Sequence, residues 1–392
     1  MSDLSNLVSK KLGMLPPYLF ARIDRMKKEA RERGVSLIDL GVGDPDTPTP
    51  PHIIEAMERA LRDGENHRYP SYEGKLSFRQ AVADWYHRRF GVELDPAREV
   101  LTLIGSKEGI GHIPFAFLDP GDVCLVPNPG YPVYRACTLL AGGEVWDMPL
   151  TAGGAFLPDL AAIPPQTVAR TKLMFLNYPN NPTSATAGPD FFAGALDFAR
   201  RNGIALCHDA AYSEVYYDED SPPGSILQLP GAKEVAIEFH SLSKTYHMTG
   251  WRIGFAVGNA DILAALGKIK SNIDSGAFGA VQDAGIAALS GSQECVAALR
   301  RMYRRRRDVF CDGLARAGFR VTPPAATFYV WIPVPEGHTS ESFASLLLER
   351  AGLVLTPGNG FGSSGEGYVR AALCLPEDLL AEAAARLSAL SR

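Results

Sequence analysis

The chain has 392 residues, 46% of them hydrophobic and 21% charged, with 39 basic against 44 acidic side chains for a net charge of −5. These proportions belong to a globular protein and exclude a disordered or low-complexity chain. The slight negative charge gives no basic footprint for nucleic acid, and no apolar run is long enough to span a membrane.

The length exceeds what one hydrophobic core usually supports, so two domains are expected. MSDLSNLVSKKLG lacks the apolar stretch of a secretory leader. Pro16 and Pro17 then precede an amphipathic helical pattern to about Arg33, followed by a short strand from Leu37 to Leu40. GVGDPDTPTPP (41–51) is a rigid, Pro-rich crossing, well suited to leaving one domain for another. From there to about residue 290, short apolar runs alternate with helix-length stretches. The runs include VLTLIG (100–105), DVCLVP (122–127), KLMFLN (172–177), IALCHD (204–209), VAIEFHS (235–241) and RIGFAV (252–257). This alternation predicts buried strands of a large, mostly parallel α/β sheet. A long helix is expected over 291–317. Beyond it, ATFYVWIPV (326–334), GLVLTP (352–357) and YVRAAL (368–373) suggest a smaller α+β lobe that shares the N-terminal segment. The expected division is an N-terminal arm and part of the small domain over 1–48, a large domain over 49–290 and a small domain over 291–392.

Polar residues repeatedly follow the predicted strands: Asn177, Asp209, and Ser241 to Lys244. Ligands of open α/β sheets bind outside the carboxyl ends of the strands, so chemistry should converge there. The densest cluster is H-S-L-S-K-T-Y-H-M-T-G-W-R-I-G-F (240–255). Lys244 beyond a buried strand suits a Schiff-base lysine, because desolvation and the nearby Arg252 cation would favour its free amine. Ser241, Ser243 and Arg252 could together hold a phosphate. Taken alone, the same residues could be a surface lysine and a loop arginine. N-Y-P-N-N-P-T-S (177–184) encodes a fixed turn. In C-H-D-A-A-Y-S-E (207–214), Asp209 could pair with a protonated ring nitrogen while Tyr212 bonds a ring oxygen, although a lone strand-end acid is more often a helix cap. L-I-G-S-K-E-G-I-G (103–111) runs from strand to Gly-Ser turn to helix, a ready anion site.

Two features look functional for other reasons. G-N-G-F-G-S-S-G-E-G (358–367) lacks the G-K-[ST] ending of a phosphate loop and leads into a strand, so a substrate-side loop is expected. The run R-R-M-Y-R-R-R-R (300–307) accompanies a helical stripe of Leu299, Met302, Tyr303, Phe310 and Leu314, so its arginines should form a solvated face. Six scattered cysteines without a C-x-x-C pair point to a reducing cytoplasm, and the eight histidines show no zinc spacing, so no metal is expected.

Taken together, G-S-K-E-G, N-P-G-Y-P-V-Y, N-Y-P-N-N-P-T, D-A-A-Y, S-L-S-K-T-Y, W-R-I-G and the late arginine of Y-V-R-A-A-L resemble the class I aminotransferases of fold type I. The resemblance covers nearly the whole chain and implies pyridoxal 5′-phosphate as cofactor, amino acids and 2-oxo acids as substrates, and a homodimer with active sites at the interface. Longer phrases, among them P-P-Y-L-F-A-R-I and N-H-R-Y-P-S-Y-E-G, resemble a branch acting on a diamino dicarboxylic acid in lysine biosynthesis.

By that resemblance, Lys244 would carry the cofactor and Asp209 would face the pyridine nitrogen. Asn181 and Tyr212 would bond the phenolic oxygen, and Tyr131 would stack on the ring. The phosphate would rest on Ser106, Lys107, Ser241, Ser243 and Arg252, with Tyr69 reaching across from a second subunit. Arg370 and Asn181 would clamp the substrate α-carboxylate, while Tyr18, Gly43 and Lys107 would line the substrate pocket. Two positions depart from the family pattern. Ser184 stands where glycine is usual, which implies altered loop geometry without an essential side chain. Ser275 stands near the place of an asparagine that contacts ligand in some relatives. Competing readings are an aspartate, alanine or aromatic aminotransferase, a β-lyase, and a non-catalytic cofactor-binding regulator.

Overall fold

The computed structural model describes residues 7–15 and 27–390, so Tyr18 lies outside the described residues. Seven strands form the large sheet: β2 (Val100–Leu103), β3 (Val123–Asn128), β4 (Glu144–Pro149), β5 (Thr171–Asn177), β6 (Ala205–Asp209), β7 (Ala236–Ser241) and β8 (Gly254–Gly258). Their order is β2-β8-β7-β6-β5-β3-β4, and β8 alone runs against its neighbours. Alternation explains why both faces are covered. Leu173 and Phe175 of β5 enter one core with Cys207, Ile237 and Phe239, while Met174 and Leu176 enter the other with Leu206, Phe192 and Trp85. β4 escapes the sequence pattern because its side chains are mostly half-buried, as befits an edge strand.

Direction matters more than count. β5, β6 and β7 end at Asn177, Asp209 and Ser241, all at one edge of the sheet. The antiparallel β8 begins at that edge, so Arg252, two residues before it, arrives beside Ser241. β2 also ends there, and leads through Gly105 into the helix Ser106–Phe117.

β9 (Tyr329–Pro333), β11 (Thr356–Pro357) and β12 (Tyr368–Ala372) form a second, antiparallel sheet, and β1 (Ile38–Asp39) pairs in parallel with β10 (Leu353–Val354). Their core includes Tyr212, Phe328, Val330, Leu347 and Val369. The helix Glu294–Arg316 buries Tyr303, Phe310 and Leu314 against it, each worth roughly 1.5–3 kcal/mol.

The arginines of that helix correct the expectation of a solvated face. Arg301 and Arg305 are exposed, but Arg306 is buried and bidentate to Asp46, at 2.7 and 2.8 Å. Arg300 approaches the buried Glu214, and Arg307 lies over the Tyr217 ring. Charge pattern could not distinguish them, because their partners come from Asp46 and Glu214, far away in the chain. The Pro-rich crossing is pinned again beyond Asp46. Thr47 Oγ1 lies 2.7 Å from His247 Nδ1, and Thr49 Oγ1 donates to the His247 carbonyl at 2.8 Å.

Behind the sheet edge, on the face opposite Asp209, Glu238 is fully buried. It accepts from Ser225 Oγ at 2.6 Å, from Ile226 N–H at 2.8 Å and from the Tyr86 hydroxyl, and pairs with His208 Nδ1 at 2.7 Å. Burial alone would raise its pKa, but the His208 and His240 contacts outweigh it and hold the carboxyl well below the usual range. A depressed folded-state pKa stabilises above the unfolded value and loses that contribution as pH falls through the folded one. Among the described residues, no helix is long and apolar enough to cross a membrane. Glu238→Ala strands His208, Ser225 and Tyr86 and should cost about 3 kcal/mol, read as a lowered denaturant midpoint at neutral pH. An unchanged midpoint would refute this account.

Candidate active site

A cavity of about 300 Å³ opens where the strand ends meet β9 and β12. Every predicted site residue lines it except Tyr18, outside the described residues, and Tyr69, which is 91% exposed on the surface. The exposed Ser275 does not line it either.

One end of the cavity suits an anion. The helix Ser106–Phe117 starts with no side chain capping its first N–H groups, and Ser241, Ser243 and Arg252 surround that start. Gly105 suits this turn because its φ of +76° is one that L side chains rarely adopt, and a Cβ there would also push the Arg252 guanidinium aside. Arg252 itself holds a left-handed φ of 57°, a cost that non-glycine residues bear mainly where surrounding contacts over-determine them.

The middle of the cavity holds a carboxylate and an amine. Asp209 is buried, and its partners are the Tyr134 hydroxyl, donating at 2.6 Å, and the Ala211 N–H at 3.3 Å. Burial pushes its carboxyl above the usual range despite both bonds. Such an acid is incomplete without a cation. Tyr134 escaped the sequence reading because it looks like any buried aromatic of the helix Val133–Ala141, stacked on Phe175. Lys244 donates from Nζ to the Gly43 carbonyl at 2.9 Å. Burial holds its ammonium below the usual lysine range; Cys374 and Asp44 oppose that shift, while Arg252 and Arg370 reinforce it.

The other end of the cavity is a guanidinium. Arg370 is 2% exposed, donates from Nη1 to Asn181 Oδ1 at 2.7 Å and from Nη2 to the Gly41 carbonyl at 2.9 Å, and leaves Nε without a partner. Its guanidinium carbon lies 4.1 Å from the Tyr329 ring centroid and 4.7 Å from that of Phe361. The Tyr329 hydroxyl is 2.9 Å from that of Tyr212, and a Cβ on Gly43 would strike it. Neither Tyr329 nor Phe361 was legible as a site residue. In A-T-F-Y-V-W the tyrosine reads as one more strand aromatic, though the substrate-side reading of 358–367 does fit Phe361.

Among the described residues, one grouping of Glu108, His112 and Asp274 is close enough to hold a metal. It already contains a cation: Lys270 Nζ lies 3.1 Å from Glu108 and 2.7 Å from Asp274.

The family model for aminotransferase class I and II matches residues 35–387. Relatives named LL-diaminopimelate aminotransferase are 59% identical over 384 residues in Desulforudis audaxviator, covering 98% of each chain, and 59% identical over 379 residues in Moorella thermoacetica, covering 97% of each. Among solved structures, substrate-bound BacF from Bacillus subtilis superposes with a TM-score of 0.93 at 39% identity, over 98% of both chains. A probable N-succinyldiaminopimelate aminotransferase from Thermus thermophilus gives 0.89 at 40% identity, over 95% of this chain and 99% of its own.

The cofactor is pyridoxal 5′-phosphate, and the cavity fits its functional groups. The uncapped helix start suits the phosphate, the buried Asp209 lacks a cation that a protonated pyridine would supply, and Lys244 is shifted toward the free amine that an aldehyde needs. Sequence match and site chemistry thus reach one conclusion: the chain belongs to the class I and II aminotransferases, and is a pyridoxal-phosphate-dependent transaminase of fold type I.

Proposed function

We propose that the chain moves an amine from LL-2,6-diaminopimelate to 2-oxoglutarate, forming tetrahydrodipicolinate and L-glutamate on the route to lysine. The observation that carries this reading is the 59% identity, over nearly the full length, to relatives bearing that name. The product keto acid still holds an amine within reach of its new carbonyl, so ring closure needs no further catalyst.

When bound, the cofactor acts as an electron sink that makes the substrate α-proton removable. The residues do the rest. Lys244 tethers the cofactor and, once released, takes the α-proton and returns it, as general base and then acid. Asp209 keeps a proton on the pyridine nitrogen, with Tyr134 holding the carboxylate in place. Tyr131 covers the ring face, while Tyr212 and Asn181 bond its phenolic oxygen. Ser106, Lys107, Ser241, Ser243 and Arg252 hold the phosphate. Arg370 and Asn181 receive the α-carboxylate; the second N–H of each terminal guanidinium nitrogen, the unpartnered Nε and the amide NH₂ of Asn181 are the donors left for it. Gly43, Lys107 and Tyr18 complete the substrate pocket.

Tyr69 belongs in this scheme as a contribution to a second copy. It shares an apolar, exposed surface with Tyr72, Ile273 and Phe278, and the two segments that carry them are packed together through Gly276 against Ser71. We read the division 49–290 and 291–392, with 1–48 joining the smaller part, as the large and small domains of such an enzyme. The six free cysteines favour a cytoplasmic setting.

A purified-enzyme assay should show glutamate formation from LL-diaminopimelate and 2-oxoglutarate, far exceeding that from aspartate, alanine or aromatic donors. Release of ammonia and pyruvate instead would favour a β-lyase and overturn the assignment. Lys244→Ala should abolish turnover and the absorption band of the lysine-bound cofactor, and retention of either would remove Lys244 from its role. Sedimentation should find a dimer, and Tyr69→Phe should weaken cofactor affinity several-fold; a fully active monomer would exclude the shared site.

A further inference from the structure

Ser184 is buried, 5% exposed, and holds a left-handed φ of 63°. A side chain in that conformation costs roughly 1–2 kcal/mol, so something must hold it there. Its hydroxyl lies 2.7 Å from Thr327 Oγ1 and 2.8 Å from the Tyr329 carbonyl. The proton directions follow from the chemistry. A carbonyl only accepts, so Ser184 donates to Tyr329 O, and its oxygen is left to accept from Thr327 Oγ1. Thr327 Oγ1 in turn accepts the Tyr329 N–H at 3.0 Å. The bonds therefore close into a ring that leaves Tyr329 through its N–H and returns to its carbonyl.

Both anchors of the ring are fixed. Thr327 is fully buried, donates its N–H to the Val215 carbonyl at 2.7 Å and accepts at its own carbonyl from the Tyr217 hydroxyl at 2.5 Å. Ser184 closes the turn that carries Asn181: Ser184 N–H bonds the Asn180 carbonyl at 2.9 Å, and Asn181 N–H bonds Asn177 Oδ1 at 2.8 Å. On one side of the ring is Asn181, the acceptor for Arg370; on the other is Tyr329, whose ring underlies the same guanidinium.

We propose that Ser184 is a positioning residue for the carboxylate clamp, tying the Asn181 turn to the Tyr329 backbone and so fixing the two supports of Arg370 relative to each other. This rests on the reading of Arg370 and Asn181 as the α-carboxylate site. Under this proposal the hydroxyl at position 184, which the sequence marked only as a departure from glycine, is a structural part of the clamp.

The test compares Ser184→Gly, Ser184→Ala and Arg370→Lys in the holoenzyme. Ser184→Gly removes the ring while relieving the backbone cost, so it separates the hydroxyl from any folding defect. Both Ser184 variants should raise KM for the amino donor about tenfold and weaken binding of glutarate, followed by the cofactor's absorbance, by a similar factor. Their kcat should fall less than threefold, and cofactor affinity should not change. Thr327→Val should reproduce this split, and Thr327→Ser should restore KM. Unchanged glutarate affinity in both Ser184 variants, alongside weakened affinity in Arg370→Lys, would overturn the proposal and leave the clamp standing. Unchanged affinity in Arg370→Lys would sink the clamp reading itself. Equal loss of kcat, cofactor affinity and glutarate affinity in Ser184→Gly would reduce Ser184 to a general folding role and also overturn the proposal.

Discussion

A carboxylate buried without a cation is the constraint around which this molecule is organised. Asp209 sits at the end of β6 with a phenol and a backbone N–H for company, and burial works against its charge. On the reading proposed above, a positively charged ring would complete this acid in the working enzyme. The same logic governs the other ionic groups of the cavity. Lys244 is pushed toward neutrality, Arg370 keeps one guanidinium nitrogen without a partner, and the helix start at Ser106 has no side-chain cap. Each is a group left unfinished by the protein, and each is complementary to part of a phosphorylated, carboxylated reactant.

Topology makes these groups meet. Three parallel strands deliver Asn177, Asp209 and Ser241 to one edge, and the reversal of β8 brings Arg252 to the same place from the opposite direction. The residues one step back along β6 and β7 point to the other face. There His208, Glu238 and His240 form a buried polar network that ties the two strands together through their side chains.

Much of this was legible in the sequence, because strand-end polar residues after apolar runs announce themselves. Lys244, Asp209, Ser241 and Arg252 were found that way, and motif order added Arg370 and Tyr131. Tyr134 and Tyr329 were not legible, since a hydroxyl on a buried aromatic looks the same whether it supports a site or merely packs. Arg306 misled for the opposite reason: within a run of arginines, nothing local marks the one with a buried partner. Ser184 was noticed only as a departure from glycine, because the partners of a hydroxyl depend on what the fold places opposite it. Tyr69 lies exposed on the surface and away from the cavity of its own copy.

His247 joins the Pro-rich crossing to the loop that follows Lys244, through Thr47 and Thr49, and its Nε2 lies 3.1 Å from the Tyr303 hydroxyl. Burial lowers its pKa to about 4, so the imidazole carries no charge across the whole range in which a lysine amine can shuttle protons. An imidazole is ordinarily the component of a protein that answers to acidity; here it serves as an inert spacer. The tie between the Pro-rich crossing and the loop after Lys244 is thereby insulated from acidity over that range.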